Sequence, residues 1–324
     1  MSFFGNDRGH DPFADILTAL LLAVTPVPPV QTLMASPDFH TPPATVSSHG
    51  KKLPSISAFF PAYNDGGTIA SMVVTTLATL RECAEDFEVI VVNDGSADYT
   101  GALLDELAQT HAPHLRVIHH PRNRGYGAAL RTGFAAATRE WVFYTDGDAQ
   151  YNPQQLRLLV DAALARQAAG ERVDVVNGYK ICRQDPWYRV VIGRIYHHVV
   201  KLMFGFKLRD VDCDFRLIRR EIFERVALRS DSGTICLEMV KKFQDAGCVF
   251  VEVPVNHFHR AFGRSQFFNF SRLWRTAVQL LSLWRELIWR RSSSKPSITT
   301  GAIERSGIEK SSSPLASAPP AGRA

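Results

Sequence analysis

Apolar and polar positions along this chain alternate between short strand-like runs and helical patterns. The predicted strands are 55–61, 87–92, 115–120, 141–145, 173–178 and 249–253. Helical patterns separate them and end near Cys83, Thr110, Thr138, Ala169 and Ala246, and a mainly apolar helix is predicted at 185–206. Strands that alternate with helices of this length predict an α/β fold, with a mostly parallel central sheet that helices cover on both faces.

The ends of the chain have a different composition from this central region. Residues 1–53 are rich in proline, and their one apolar run, 16–24, is too short to span a bilayer and follows acidic residues where a signal peptide is basic. We therefore expect a disordered N-terminal extension, 1–53, followed by a single domain, 54–266. An amphipathic helix is predicted at 267–291, and a disordered tail rich in serine, proline and alanine at 292–324.

Polar side chains follow four of the predicted strands at the point where each strand ends or a helix begins. These clusters are Tyr63-Asn64-Asp65, Asn93-Asp94, Asn123-Arg124, and Asp146 with Asp148. In a parallel sheet of this kind, ligands bind beyond the carboxyl ends of the strands. The four clusters therefore predict one ligand site at that edge.

Asp146 and Asp148 are candidate metal ligands. Asp-Gly-Asp on its own is also an ordinary solvated turn. In an extended segment, however, residues two apart point to the same side, so both carboxylates can converge on one point. Hard oxygen donors suit Mg2+ or Mn2+. The position of the pair at a strand end, in line with the other clusters, favours the ligand site over the turn.

Charge and cysteine usage add two further indications. The net charge is +5 and the sequence pI about 9.0. Seven arginines lie within 260–291 against a single acid, Glu286, and such a block points to phosphates or an anionic membrane surface. We expect no nucleic-acid partner. Five scattered cysteines without a C-x-x-C pair fit a reduced cytosolic protein better than a disulfide framework or a zinc site.

Six motifs, in order and spacing, give the chain a family resemblance over about residues 55–268. They are Pro61-Ala62-Tyr63-Asn64, Asn93-Asp94-Gly95-Ser96, Asn123-Arg124-Gly125-Tyr126-Gly127, Asp146-Gly147-Asp148, and the later pair Asp212-Cys213-Asp214-Phe215-Arg216 and Arg260-Ala261-Phe262-Gly263-Arg264-Ser265. The chain resembles the family 2 inverting glycosyltransferases, and within them the dolichol-phosphate mannosyltransferase branch, which are polyprenyl-phosphate glycosyltransferases. The resemblance implies a single Rossmann-like domain of the GT-A type, a GDP- or UDP-linked sugar donor and a divalent metal, Mg2+ or Mn2+.

The resemblance also implies roles for individual residues. The expected donor-nucleotide residues are Pro61, Ala62, Tyr63, Asp65, Asp94, Arg124 and Gly125. Asp65 stands where the family usually has glutamate. The expected metal ligands are Asp146, Asp148 and Gln150, and the expected acceptor-phosphate residues are Arg260, Arg264 and Ser265. Gln266 replaces a lysine that often follows the serine, and Arg264 supplies a charge in its place.

The hypothesised reaction is displacement at the anomeric carbon with a nucleoside diphosphate leaving, and Asp146 and Asp148 hold the metal that neutralises its charge. Backbone N–H groups of the glycine-rich turns 65–68 and 124–127 are expected to add to this. A lipid phosphate acceptor needs no base, only arginines, for which Arg216 and Arg260 are the candidates with Arg264. A hydroxyl acceptor would need a carboxylate base, Asp212 or Asp214. Equally, Asp212 and Asp214 could pair structurally with Arg209 and Arg216.

The helix 267–291 has two interpretations, packing on the protein's own core or lying in a membrane interface. Three tryptophans flanked by arginines slightly favour the membrane, and with it a cytoplasmic protein bound peripherally to the inner face of the membrane. Many relatives carry transmembrane helices after this domain and none is predicted here, which leaves room for an integral-membrane partner protein. The alternatives are a family 2 enzyme with a sugar hydroxyl acceptor and a catalytically silent, membrane-recruited binding protein. A nucleotide-cofactor oxidoreductase is disfavoured because no full G-x-G-x-x-G follows the first strand.

Overall fold

Seven strands form one sheet in the structure, a computed structural model that describes residues 51–181, 198–258 and 278–289. All of these residues lie in one compact unit, Ser47–Ala324. The strands are β1 (Leu53–Ala62), β2 (Ala84–Asn93), β3 (Leu115–His119), β4 (Trp141–Thr145), β5 (Val175–Lys180), β6 (Phe215–Arg219) and β7 (Phe250–Val255).

The helices of the described residues alternate with these strands. They are α1 (Ile69–Cys83), α2 (Thr100–Thr110), α3 (Tyr126–Ala136), α4 (Leu156–Ala168), α5 (198–204), α6 (Ile222–Arg225), α7 (Ile235–Asp245) and α8 (278–289), whose last turn, Arg285–Trp289, is π-helical. A 3-10 turn, Pro153–Gln155, precedes α4, and Asn152 caps it by accepting a hydrogen bond from the Gln154 N–H.

The strand order is β3-β2-β1-β4-β6-β5-β7. Every neighbouring pair is parallel except the two that involve β6, which runs antiparallel to β4 and to β5. The predicted mostly parallel sheet is confirmed, and six of its strands match the predicted runs. Strand β6 was not predicted from the sequence. Because β6 runs antiparallel to its neighbours, its first residues lie at the edge of the sheet where the other strands end.

Helices cover the sheet on both faces, as predicted. One face packs against α1, α2 and α4 through residues such as Leu77, Leu104 and Leu159. The other packs against α3, α6 and α7 through residues such as Phe134 and Met239. Here α3 lies very close to β1, since a Cβ on Gly133 would sit 2.3 Å from the Phe59 ring.

The described part of the predicted C-terminal helix packs on the protein itself. In α8, Leu280, Leu283 and Leu287 are buried against α5 and α7. The Trp284 indole N–H donates to the Met203 carbonyl at 2.9 Å. Core packing thus accounts for the inner side of α8, whereas residues 267–277 and 290–291 lie outside the described residues, as do 1–50 and 292–324. Within the described ranges, no helix has the length and apolar character needed to cross a membrane.

Candidate active site

Asp146 and Asp148 lie where the sequence analysis expected them, directly after the fully buried strand β4. The turn that carries them is held tightly against α1: the Thr68 hydroxyl donates to the Gly147 carbonyl at 2.8 Å. A Cβ on Gly147 would lie 3.0 Å from Ile69 and 3.2 Å from the Pro61 carbonyl oxygen. Ala149, with φ of 59°, then bends the chain away toward the 3-10 turn. The two carboxylates are therefore fixed at the edge of the sheet.

Asp214 faces Asp146 across the boundary between β4 and β6. Thr145 pairs with Phe215 in the antiparallel register, so the next residues outward are Asp146 and Asp214. Like charges directly opposite each other are unfavourable. Burial, followed by the charges of Asp214 and Asp148, raises the pKa of Asp146 well above its usual value, and Asp65 adds to the effect. The edge therefore concentrates negative charge at Asp146.

The Asp214 carboxylate is held by three buried polar side chains, those of Tyr144, Cys236 and Arg216. Its Oδ1 atom accepts hydrogen bonds from the Tyr144 hydroxyl at 3.2 Å and from the Cys236 thiol at 3.0 Å. The Arg216 Nη1 atom lies 3.6 Å from the same oxygen. The structural pairing considered for Asp214 and Arg216 is therefore present.

Arg216 occupies a different place from the phosphate contact that was expected of it. It is 1% exposed, and its guanidinium donates to Asn177 Oδ1 at 2.6 Å, to the Val211 carbonyl at 2.5 Å and to the Tyr144 hydroxyl. Burial acts to lower the pKa of Arg216, but the neighbouring Tyr144 and Asp214 act in the opposite direction, and the pKa lies well above its usual value. In this structure Arg216 is a buried cation that positions Asp214 and Tyr144, and an acceptor phosphate could reach it only by rearrangement of the core.

Asp212 and Arg209 are not paired with each other as the alternative interpretation supposed. The Asp212 carbonyl accepts from Lys180 Nζ at 2.9 Å, whereas the Arg209 guanidinium stacks over Tyr179 at 5.1 Å. Burial, partly offset by Lys180, raises the pKa of Asp212 to about 6.

Asp94 organises the glycine-rich turn. It is buried at the end of β2, and its carboxylate accepts from the backbone N–H groups of Arg124 and Gly125, each at 2.9 Å. His120 Nδ1 lies 2.6 Å from the same carboxylate. The motif residue expected to border the nucleoside therefore also fixes the start of α3.

Several backbone N–H groups of the two glycine-rich turns that were expected to face a diphosphate have protein partners in this structure. Besides the two N–H groups bound by Asp94, the Gly127 N–H donates to the Asp231 carbonyl at 2.9 Å. In the first turn, the Thr68 and Ile69 N–H groups both donate to the Asp65 carbonyl at 2.9 Å. These turns need glycine for close approach: a Cβ on Gly66 would lie 2.7 Å from the Tyr99 ring, and one on Gly127 2.3 Å from the Ser230 carbonyl.

Two further residues belong to this region although the sequence analysis did not assign them to the site. The Tyr126 hydroxyl donates to Asp146 Oδ1 at 2.7 Å. Glu238, buried on α7, accepts from the backbone N–H groups of Arg229 at 2.9 Å and Ser230 at 2.8 Å. The motif 123–127 contained Tyr126 and so offered a signal for it, whereas Glu238 acts through a loop whose position no sequence pattern predicts.

Gln150 joins the Asp148 loop to the three residues that follow β7, here called the 256–258 segment. Its carbonyl accepts from the Phe258 N–H at 2.8 Å, and its side-chain Nε2 donates to the Phe258 carbonyl at 3.2 Å. Gln155 repeats the pattern on Asn256, with Oε1 accepting from the N–H at 2.8 Å and Nε2 donating to the carbonyl at 3.3 Å. Two glutamines thus bind both ends of the 256–258 segment.

The expected donor residues cluster at the same edge. Pro61 and Ala62 are buried at the end of β1, while the Tyr63 ring is 42% exposed beyond it. The Tyr63 N–H donates to Asp65 Oδ2 at 3.0 Å, which keeps Asp65 close to Gly147. The side chain of Arg124 is exposed at the start of α3. By contrast, Arg260, Arg264 and Ser265 lie outside the described residues.

Asp146, Asp148 and Gln150 fit a hard divalent cation by their chemistry. They offer two carboxylates and an amide oxygen, and the unfavourable concentration of charge at Asp146 is what such a cation would relieve. The Gln150 Nε2 atom faces Phe258, which leaves Oε1 as the atom suited to a metal. Across the ranges that the structure describes, no group of three or more His, Cys, Asp or Glu side chains is arranged to hold a metal ion.

Comparisons with known proteins agree with this geometry. The model for "Glycosyl transferase family 2" matches residues 57–227. The undecaprenyl-phosphate 4-deoxy-4-formamido-L-arabinose transferase of Enterobacter sp. (strain 638) is 28% identical over 218 residues, which cover 67% of this chain and 64% of that protein. The chain thus spans somewhat less than two thirds of the length of this curated relative.

Solved structures of glucosyl-3-phosphoglycerate synthase from Mycobacterium tuberculosis share the fold. The complex with phosphoglyceric acid has a TM-score of 0.54 and 19% identity, over 72% of this chain and 79% of that one. A second complex, with Mn2+, UDP and glucosyl-3-phosphoglycerate, has a TM-score of 0.54 and 20% identity over the same shares. The family model covers more than half of the chain and includes every strand-end cluster described above, so the chain belongs to glycosyl transferase family 2.

Proposed function

We propose that this glycosyltransferase moves a sugar from a GDP- or UDP-linked donor to a polyprenyl phosphate, with Mg2+ or Mn2+ bound at Asp146, Asp148 and Gln150. The observation that carries the proposal is the set of acids at the sheet edge, where Asp214 lies opposite Asp146 in the strand register and the charges of Asp214, Asp148 and Asp65 raise the pKa of Asp146. When bound, the metal supplies charge neutralisation for the leaving diphosphate.

The chain's own residues divide the remaining work. Tyr63 offers an exposed ring at the end of β1 for the nucleoside base, beside Asp65, Pro61 and Ala62. Asp94 keeps the Arg124–Gly125 backbone in place, so the exposed Arg124 side chain lies at the same edge for the donor.

The acceptor proposal is supported by two facts. The curated relative is named for transfer to undecaprenyl phosphate. The 256–258 segment, bound by Gln150 and Gln155, is followed in the sequence by the basic residues Arg260 and Arg264 and by Ser265. A phosphate acceptor is ionised at neutral pH and needs cations to hold it, so no base is required of Asp214.

A panel of GDP- and UDP-sugars tests the proposal, each with Mn2+, with Mg2+ or with EDTA, and with or without a short polyprenyl phosphate. We expect one donor class to support transfer that stops on addition of EDTA. Asp146→Asn and Asp148→Asn should abolish this transfer, whereas Asp86→Asn, at an exposed ion pair with Arg139, should not affect it. The proposal is wrong if no donor gives metal-dependent transfer.

A hydroxyl acceptor is the second candidate because Asp214 lies opposite Asp146 at the site. Its Oδ1 atom is occupied by Tyr144 and Cys236, so Oδ2 would take the proton from an acceptor hydroxyl. Asp214→Asn separates the two candidates. It should abolish transfer to a hydroxyl, but only weaken transfer to a phosphate.

We also propose peripheral contact with the cytoplasmic face of a membrane. The outer sides of α5 and α8 carry exposed apolar residues, among them Leu202 at 88% and Leu281 at 61% exposure. The polyprenyl tail of an acceptor would lie in the membrane that these apolar residues contact. The arginines of 260–291 complement the charge of anionic lipids. An integral-membrane partner protein is an alternative occupant of the same surface.

Vesicle flotation tests the membrane contact with the full chain. Vesicles that contain anionic lipid should carry the wild type upward, and the double variant Leu202→Glu, Leu281→Glu should stay at the bottom of the gradient. Val74→Glu is the matched control, since Val74 is 48% exposed on α1. Equal flotation of the wild type and the double variant would rule this surface out.

A further inference from the structure

We propose that Tyr126 is a positioning residue for Asp146, and that its hydroxyl orients this carboxylate toward a divalent cation. The inference rests on the metal site of the proposed function and adds a residue to it. Within the described part of the chain, the Tyr126 hydroxyl is the one hydrogen-bond donor to the Asp146 side chain, at 2.7 Å from Oδ1. The remaining neighbours of this carboxylate are other acids, Asp214, Asp148 and Asp65.

A carboxylate in such surroundings needs a donor to keep one orientation. Without this donor, repulsion from Asp214, which lies opposite Asp146 in the strand register, and from Asp148 would favour other orientations of the Asp146 carboxylate. With Oδ1 bound by the phenol, Oδ2 is the oxygen that remains for a cation. Carboxylate ligands of metals are commonly held by hydrogen bonds of this kind, and loss of the partner weakens metal binding about 10- to 100-fold.

The backbone on both sides of Tyr126 is locked, which gives its hydroxyl a defined place. Gly125 has φ of 97° and donates its N–H to Asp94, while the Gly127 N–H donates to the Asp231 carbonyl. A Cβ on Gly125 would lie 2.5 Å from the Asp231 carbonyl oxygen. Glycine on each side of Tyr126 thus lets the 230–232 backbone approach within contact distance.

The 230–232 backbone is itself fixed from α7. Glu238 binds the N–H groups of Arg229 and Ser230, and Lys242 pairs with Glu238 at 2.5 Å. Arg131, on α3, pairs with the Asp231 side chain. A continuous series of contacts therefore runs from a buried carboxylate on α7 to the hydroxyl that holds Asp146.

Tyr126→Phe removes the hydroxyl and keeps the ring, so it separates orientation of Asp146 from packing. Mn2+ binding to the full chain, in the presence of UDP or GDP, is measured by electron paramagnetic resonance of the free ion. We expect the Kd for Mn2+ to rise about tenfold, and the apparent KM for Mn2+ in transfer to rise with it. At saturating Mn2+, kcat should stay within about twofold of the wild type, because the hydroxyl contacts no substrate in this scheme.

Tyr99→Phe is the control, because it makes the same change at an exposed tyrosine directly before helix α2. Tyr126→Leu, which removes the ring as well, is a second variant and should weaken Mn2+ binding by at least as much as Tyr126→Phe. An unchanged Kd for Mn2+ in Tyr126→Phe overturns the inference while the metal-dependent transferase stands. A wild type that binds no Mn2+ with either nucleotide overturns both, so the two failures are distinguishable.

Discussion

Replacement of Glu238 by glutamine tests how firmly the 229–232 loop is attached to the fold. The carboxylate is 2% exposed and accepts from two backbone N–H groups and from Lys242. The amide of glutamine has the same shape, but only its oxygen can accept. Its NH2 group would face at least one of the three donors that the carboxylate now binds. A hydrogen bond to a charged group contributes about 1.5–3 kcal/mol, and a buried group left unsatisfied costs about 1–3 kcal/mol.

Together the two effects amount to about 2.5–6 kcal/mol. Because Lys242 is partly exposed and can be solvated, we expect a loss of stability near the lower end of this combined range, at about 3 kcal/mol. For a domain of roughly 200 residues this corresponds to a Tm lower by about 6–12 °C. Urea unfolding at pH 7, followed by circular dichroism, measures the free energy of unfolding. Glu224→Gln is the matched control, since its ion pair with Arg220 is exposed and should contribute less than about 1 kcal/mol.

The pH dependence gives an independent check. Burial acts to raise the pKa of Glu238, but the hydrogen bonds from Lys242 and Ser230 outweigh it and hold the pKa below its ordinary value of 4.5. A lowered folded-state pKa contributes stability that is present above 4.5 and is lost as the pH falls through the folded value. The gap between wild type and Glu238→Gln should therefore be full at pH 7 and shrink below pH 4.5. If Glu238→Gln unfolds like Glu224→Gln, or if the gap is independent of pH, the loop is not held in this way.

Four other substitutions have expected outcomes that follow from the structure. Gly127→Ala places a methyl group 2.3 Å from the Ser230 carbonyl oxygen, and urea unfolding should show a loss of about 1–3 kcal/mol. Leu283→Ala, in the buried contact of α8, should cost about 2–5 kcal/mol in the same assay, while Leu281→Ala, exposed on the same helix, should stay within about 0.5 kcal/mol. Burial raises the folded-state pKa of Asp212 from 3.8 to about 6, so the wild type should lose stability as the pH rises through this interval. Asp212→Asn should remove this loss. A pH profile of stability identical to that of the wild type would contradict the prediction.

The sheet and its ligand edge were accessible from the sequence because their signals are local. Each of the strands β1 to β5 and β7 is a short apolar run beside a helical pattern, and parallel topology then places the polar ends together. β6 carries a different signal. Its second residue is Arg216, and arginine is rarely buried. The burial of this arginine depends on hydrogen bonds to Asn177, Tyr144 and Val211, which lie outside the strand.

The same limit applies to the glycine-rich turns. Their sequence is compatible with a phosphate cradle or with close packing of another backbone, since glycine serves both. Only the position of Asp231, delivered by a distant loop, shows that the Gly127 N–H has a protein partner. The dual contact of Gln150 with Phe258 is equally non-local, because 108 positions separate the two residues.

The paired glutamines have a thermodynamic consequence. Gln150 belongs to the loop of Asp148, and through Phe258 it shares hydrogen bonds with the chain that enters the basic residues after β7. Any ligand that displaces the 256–258 segment must also break the hydrogen bonds that join this segment to Gln150, beside Asp148. Occupancy on one side then alters affinity on the other by a coupling free energy, and by linkage the effect is equal in both directions. For a two-substrate transferase, such reciprocity would make the affinity for each substrate depend, through these two glutamines, on whether the other is bound.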